Sequence, residues 1–121
     1  MIAQYTALIA QLALVHGIPA NVIKAVIMTE SGGRAHVVSP TNDYGLMQLN
    51  AAAYPTYTAR QLLDPITNLR LGTAHLAMVK QRCIHQKELE WLTCYNLGIE
   101  GAKKVKHPSK WPYVRKIKER I

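Results

Sequence analysis

Three short clusters in this 121-residue chain hold the side chains that could do chemistry. The first is Glu30, followed by Ser31-Gly32-Gly33. Glu30 lies three residues after Ile27, four after Val26 and seven after Ile23, so a 3.6-residue period puts its carboxylate on the apolar face of a helix. The glycines end that helix, leaving Glu30 in the last turn, where the helix dipole disfavours an anion. Desolvation and dipole both penalise the charged form. A carboxyl held protonated near neutrality is what a general acid needs. The other reading is a helix-end glutamate turned out to water.

The second cluster, Asn42 to Asn50, packs Asp43, Tyr44, Gln48 and two asparagines around Gly45. Amides match sugar hydroxyl and acetamido groups, and an aromatic ring covers a sugar C–H face. The same residues also read as a turn leading into a half-buried Leu46/Leu49 stretch. The third cluster, Tyr95-Asn96-Leu97-Gly98, stands at a helix end, where a tyrosine hydroxyl can reach back to a carboxylate. Its plainer reading is a core tyrosine with a capping terminus.

The elements that must position these clusters are mostly helical. Ile2, Tyr5, Leu8, Ile9, Leu12 and Val15 recur at helical spacing, with Gly17 as the stop. A second helix follows Pro19, with Val22, Ile23, Val26 and Ile27 as its apolar face. Residues 34–57 carry Gly, Pro, Asn, Asp and Ser without helical period, which predicts a long loop or a short β-hairpin. Asp64-Pro65 reads as an N-cap and first-turn proline, opening a helix to about Cys83 through Ile66, Leu69, Ala74, Leu76 and Val79. Further helices are expected near 88–97, 101–106 and 112–120. Trp91 reads as core. No repeat or linker interrupts the chain, so residues 1–121 are expected to form one domain, a mainly α fold.

Composition narrows the class. With 49% hydrophobic and 18% charged residues the chain is globular. Its longest apolar stretch, Ile2 to Val15, is broken by Gln4, Thr6 and Gln11 and falls short of the ~20 residues a membrane span needs. It also lacks the basic flank of a signal peptide. Residues 1–100 hold 7 basic and 6 acidic groups, whereas residues 101–121 hold 8 and 1. The +8 net charge is therefore a C-terminal feature, suited to a polyanionic partner or to a solvated end. Cys83 and Cys94 match no zinc or redox spacing and read either as one disulfide or as two small buried hydrophobes. The five histidines form no ligand pattern with Cys or carboxylates, so no metal and no cofactor are expected.

Taken in order, Glu30-Ser31-Gly32-Gly33, Ser39-Pro40, Gly45-Leu46-Met47-Gln48-Leu49-Asn50 and Tyr95-Asn96-Leu97-Gly98 resemble the soluble lytic transglycosylase (SLT) catalytic domain. The lead-in from Gly17 to Ser31, the run Asp64-Pro65 with Asn68, Leu71 and Gly72, and the closing Tyr113 to Ile117 extend the likeness over nearly the whole chain. The resemblance implies a lysozyme-like helical fold and cleavage of the MurNAc–GlcNAc β-1,4 bond of peptidoglycan. Glu30 matches the family's single acid/base, which protonates the glycosidic oxygen and then takes a proton from the MurNAc 6-hydroxyl as that oxygen closes a 1,6-anhydro ring. By the same resemblance Ser31 supports Glu30 or the acetamido group, Gln48 and the Met47 backbone line the sugar cleft, Tyr95 bonds Glu30, and Asn96 holds the cleft wall.

One departure bears on the product. Many family members have Gly-Ala where this chain has Asn42-Asp43, and Asp43 through Asn50 instead resembles the stretch of c-type lysozymes and secretion-associated transglycosylases that contributes an acid. Asp43 is then a candidate second carboxylate, which would make the protein a hydrolytic muramidase. The reading from another class is a basic helical nucleic-acid-binding module, which explains the C-terminal cations but not Glu30 or the 43–50 block. The expected partners are peptidoglycan glycan strands, with anionic envelope polymers held through residues 103–120. No nucleic acid is expected, and the chain is expected to be a monomer. Its place of action is expected to be the periplasm or cell wall. Without a signal peptide, it is expected to be a domain of a larger protein or a phage virion or lysis product.

Overall fold

The computed structural model describes residues 2–121. It is mainly helical, with one small β-hairpin inside the 34–57 segment. The chain separates into two compact units, the first ending at Thr73 and the second running Ala74–Ile121.

The first unit opens with a single 3-10 turn and α1 (Thr6–His16). Gly17 caps α1 in the left-handed region at φ 65°, where a side chain would be strained, and Ile18 turns inward fully buried. The helix α2 (Ala20–Ser31) follows Pro19 and packs on α1. Val22, Ile23, Val26 and Ile27 are all buried, as their spacing predicts. On α1 the buried positions are Ile9 and Leu12, whereas Val15, expected on the same face, is 69% exposed. At 100° per residue, successive three-residue steps drift about 60° each, which carries Val15 about 120° round from Ile9.

After α2 the chain runs to a hairpin of β1 (Asp43–Tyr44) and β2 (Leu49–Asn50), paired antiparallel with Asp43 opposite Asn50 and Tyr44 opposite Leu49. A short helix unforeseen in the sequence, α3 (Ala59–Leu63), starts in a capping box: Thr58 accepts from Gln61 N–H while the Gln61 side chain accepts from Thr58 N–H. Then α4 (Pro65–Arg82) begins as predicted, its first turn capped by Asp64, whose Oδ2 accepts from Thr67 N–H at 3.0 Å and Thr67 Oγ1 at 2.9 Å. Ile66 and Ala74, expected on the apolar face of α4, are exposed, while Asn68 and Thr73 are buried there. Hydropathy alone mis-assigns those four positions because the two polar side chains find partners inside.

The second unit contains the end of α4, α5 (Leu92–Ala102) and α6 (Pro112–Arg120). The expected helix from residue 88 starts only at Leu92. It does not end at Gly98 but bends there, at φ 82° and ψ 159°, and resumes to Ala102. No helix spans 101–106. Cys83 and Cys94 are joined as a disulfide, which resolves the open alternative and, by closing a short loop, contributes about 2–4 kcal/mol. Trp91 is buried, with the Lys80 ammonium 5.8 Å from its ring centroid. The loop between α4 and α5 is tied down by Gln86, whose amide donates to Lys80 O and Cys83 O, and by the His85 ring against Ala102 O at 2.8 Å. No single helix among the described residues is long and apolar enough to cross a membrane.

Candidate active site

Glu30 occupies the last turn of α2, half-buried. The next residue, Ser31, is 2% exposed, and its hydroxyl is committed at both ends. It donates to Ile27 O at 3.1 Å and accepts from Gly33 N–H at 3.1 Å. Ser31 therefore fixes the helix exit that carries Glu30, with Gly32 supplying the left-handed residue that lets the chain turn away.

The segment leaving α2 meets the hairpin directly. Val37 O accepts from Gly45 N–H at 2.8 Å and from Gln48 Nε2 at 3.1 Å, and Val38 bridges to Tyr44. Gln48 also donates to Gly45 O at 3.0 Å, so its amide protons brace the turn in which it sits at φ 53°. Asp43 is likewise engaged by its own loop. Its Oδ2 accepts from Ser39 Oγ at 2.8 Å and Thr41 Oγ1 at 2.6 Å, and its Oδ1 from Asn50 Nδ2 at 3.0 Å. Burial, the largest single influence, pushes the Asp43 carboxyl up. The hydrogen bonds from Thr41, Asn50 and Ser39 together outweigh it and hold the group below its ordinary value.

The residue that sequence reading undervalued is Asn68. Fully buried on α4, it accepts from Met47 N–H at 2.8 Å and donates to Tyr44 O at 2.7 Å and Leu62 O at 2.8 Å. One side chain thus joins the hairpin, its turn and α3. Two glycines make room for this: a Cβ at Gly45 would strike the Asn68 amide and Leu62 O, and a Cβ at Gly72 would overlap the Met47 side chain. Met47 is itself 1% exposed, so it anchors the turn in the core. The signal available in the sequence was the pair Gly45 and Gly72 flanking a helical asparagine.

In the second unit, Tyr95 lies half-buried on the first turns of α5, its ring 5.4 Å from that of His75 and tilted by 49°. Burial pushes the His75 pKa down, because desolvation penalises the charged imidazolium. Both rings line a pocket of about 380 Å3 with Leu97, Gly98 and Glu100. Asn96 is exposed and its Oδ1 accepts from Trp111 Nε1 at 2.8 Å. Of the predicted site residues, then, Glu30 and Ser31 share the exit of α2. Asp43, Met47 and Gln48 share the hairpin that pairs with the segment leaving α2. Tyr95 and Asn96 stand together on α5. Among the described residues no group of His, Cys, Asp or Glu could hold a metal ion.

Residues 7–118 match the family model described as the transglycosylase SLT domain. Over 75 residues the chain is 33% identical to the endo-type membrane-bound lytic murein transglycosylase A of an Enterobacter species, a stretch covering 53% of this chain and 37% of that protein. The protein of the same name from Cronobacter sakazakii is 32% identical over 75 residues, with the same coverage. The matched stretch is little more than a third of the length of these curated relatives. Among solved structures, the lytic transglycosylase Slt of Pseudomonas aeruginosa, determined as an inactive mutant, superposes with a TM-score of 0.72 at 22% identity. That match covers 98% of this chain and 22% of the other. At that identity the shared property is the fold.

Proposed function

This chain belongs to the transglycosylase SLT domain family, and from that premise we propose that residues 1–121 act as one catalytic domain cleaving the MurNAc–GlcNAc β-1,4 bond of peptidoglycan. Glu30 protonates the glycosidic oxygen as the C1–O bond breaks. The same carboxylate then accepts the proton of the MurNAc 6-hydroxyl while that oxygen bonds to C1. The product is a 1,6-anhydro end, the proton count closes on Glu30, and no water is consumed. The N-acetyl group of the substrate takes the part of a second carboxylate. Gln48 and the Met47 backbone line the sugar-binding side of the hairpin, and Tyr95 and Asn96 are further sugar-binding residues on α5.

The observation that carries this reading is the use of the acidic groups in the first unit. Of Glu30, Asp43 and Asp64, Asp43 is spent on three donors of its own loop and Asp64 on the first turn of α4. An Asp43 carboxylate held by three donors of its own loop supports a one-acid transglycosylase over a two-carboxylate muramidase. Mass spectrometry of digested sacculi tests it. Muropeptides one water lighter than the hydrolysed form are expected from the wild type and from Asp43→Asn alike. Reducing ends, or loss of cleavage in a folded Asp43→Asn protein, would hand the reaction to a Glu30/Asp43 pair.

The basic C-terminal segment supports a partner of the same kind. The side chains of α6 divide cleanly: Tyr113, Val114 and Ile117 are buried, while Arg115, Lys116, Lys118 and Arg120 are exposed. Lys103, Lys104, Lys106 and Lys110 are exposed as well, with Lys103 paired to Glu100 at 2.8 Å. Anionic envelope polymers in the periplasm or cell wall match this charge. Exposed charges lose reach as the Debye length shrinks from about 10 Å at 0.1 M salt to about 3 Å at 1 M. Sacculus binding is therefore expected to weaken at least about tenfold between 0.05 and 0.5 M salt. Binding indifferent to salt, or stronger for duplex DNA than for sacculi, would remove envelope polymers as the partner.

A further inference from the structure

A groove of about 700 Å3 in the first unit takes no part in the chemistry above. Its walls come from the turn ahead of α1, the segment leaving α2, and Pro65 at the start of α4. We propose that this groove binds a short peptide bearing free carboxylates and small side chains. On the reading above, which this inference rests on, that peptide is the stem carried by the sugar being cut.

Charge and shape both argue for this ligand. Arg34 lines the groove, and its Nε donates to Ser31 O at 3.1 Å. That bond fixes the plane of the guanidinium and turns it into a preset fork for a carboxylate. His36 is exposed beside it, and Gln4 and Tyr5 add neutral hydrogen-bonding groups. Among the described residues no acidic side chain lines the groove. The neighbouring Asp64 is turned into the cap of α4 by Thr67. The remaining walls, including Ala3, Ala35 and Val37, are short and apolar, which suits alanine-sized side chains. A volume in the range of about 300–1,000 Å3 typical of ligand sites is far more than one small anion fills. Position completes the case. Arg34 is anchored on the carbonyl of the residue after Glu30, so the groove starts beside the helix end that carries the proposed acid.

The test is a titration of the full chain with acetyl-Ala-Glu-Ala bearing its free carboxylates, against its neutral counterpart acetyl-Ala-Gln-Ala-amide. The charged peptide is expected to bind at least about tenfold tighter, about 1.4 kcal/mol. Arg34→Gln is expected to erase that preference and His36→Gln to reduce it. In cleavage assays, a roughly tenfold preference in kcat/KM for peptide-bearing over peptide-stripped strands is expected to vanish in Arg34→Gln, with cleavage of stripped strands unchanged. Equal affinity for the two peptides, a preference that survives Arg34→Gln, or a trinucleotide that displaces the peptide would overturn the proposal. If Arg34→Gln does not fold, the comparison of the two peptides on the wild type still decides. The two readings fail separately: Glu30→Gln is expected to stop cleavage yet bind the charged peptide normally. Sacculi cut equally well by that variant would refute the chemistry and leave the groove to the titration.

Discussion

Glu30→Gln is expected to lower the rate of sacculus solubilisation by about 10^3-fold or more, with the thermal midpoint unchanged or slightly raised. The two halves of this result have different causes. Glutamine keeps the shape of the side chain and its capacity to accept a hydrogen bond, so the packing of the α2 exit is preserved. It cannot deliver or accept the proton, and general acid–base catalysis alone is worth about 10^2–10^4-fold per positioned group. In the proposed reaction one carboxyl serves both proton transfers, which places the loss at the upper part of that range. The stability half follows from the helix. Glu30 is an acid in the last turn of α2, with no basic residue in that turn. Whenever the carboxyl ionises, the resulting anion opposes the dipole by about 0.3–1 kcal/mol, a cost the neutral amide never carries. A gain in stability with a loss of rate is the signature of a group held in place for chemistry. Initial rates on purified sacculi, paired with thermal melts of both proteins, provide the check. A variant retaining a tenth of the wild-type rate would exclude Glu30 as the proton donor.

Much of this arrangement was legible in the sequence because the relevant signals are local. The period of Val22, Ile23, Val26 and Ile27 fixed the buried face of α2, and Gly32 fixed its end, so the place of Glu30 followed. Asp64-Pro65 marked the start of α4 for the same reason: a cap and a missing N–H act within one turn. The hairpin was readable only as a loop with turn residues, since its strands are two residues each and carry no periodicity. What escaped was set by tertiary partners. Asn68 looks like a surface residue until Met47, Tyr44 and Leu62 are brought to it. Gly98 looks like a helix stop, yet α5 resumes beyond it because Ala102 is buried and its carbonyl is held by His85. In each case residues outside one turn determine the outcome, and their approach is not encoded in spacing.

Asn68→Ala is expected to destabilise the protein by about 3–5 kcal/mol, a large part of the 5–15 kcal/mol that holds a typical domain together. The cost comes from three backbone groups that lose a hydrogen-bond partner. Removing the amide leaves Met47 N–H, Tyr44 O and Leu62 O without the partner each has now. Every buried polar group stranded in this way costs about 1–3 kcal/mol, and the small cavity left by the side chain admits water only at further expense. Thr73 supplies the control on the same helix. It too is fully buried, but its hydroxyl donates to Leu69 O and Arg70 O, carbonyls of its own helix. Thr73→Val removes a donor that the α4 backbone does not depend on, and is expected to cost about 1 kcal/mol or less. The contrast separates polarity as such from polarity that joins elements. Denaturant unfolding of the two variants measures it, and amide exchange at Met47 locates it, since that N–H is expected to lose its protection in Asn68→Ala alone. Activity is expected to fall with the hairpin, because Gln48 is braced to the same turn. Asn68→Asp offers no rescue: it keeps one acceptor for Met47 but aims a buried anion at two carbonyl oxygens. If Asn68→Ala and Thr73→Val were to unfold at the same denaturant concentration, the hairpin would have to be held by its apolar anchors Leu46, Met47 and Leu49 and not by the asparagine.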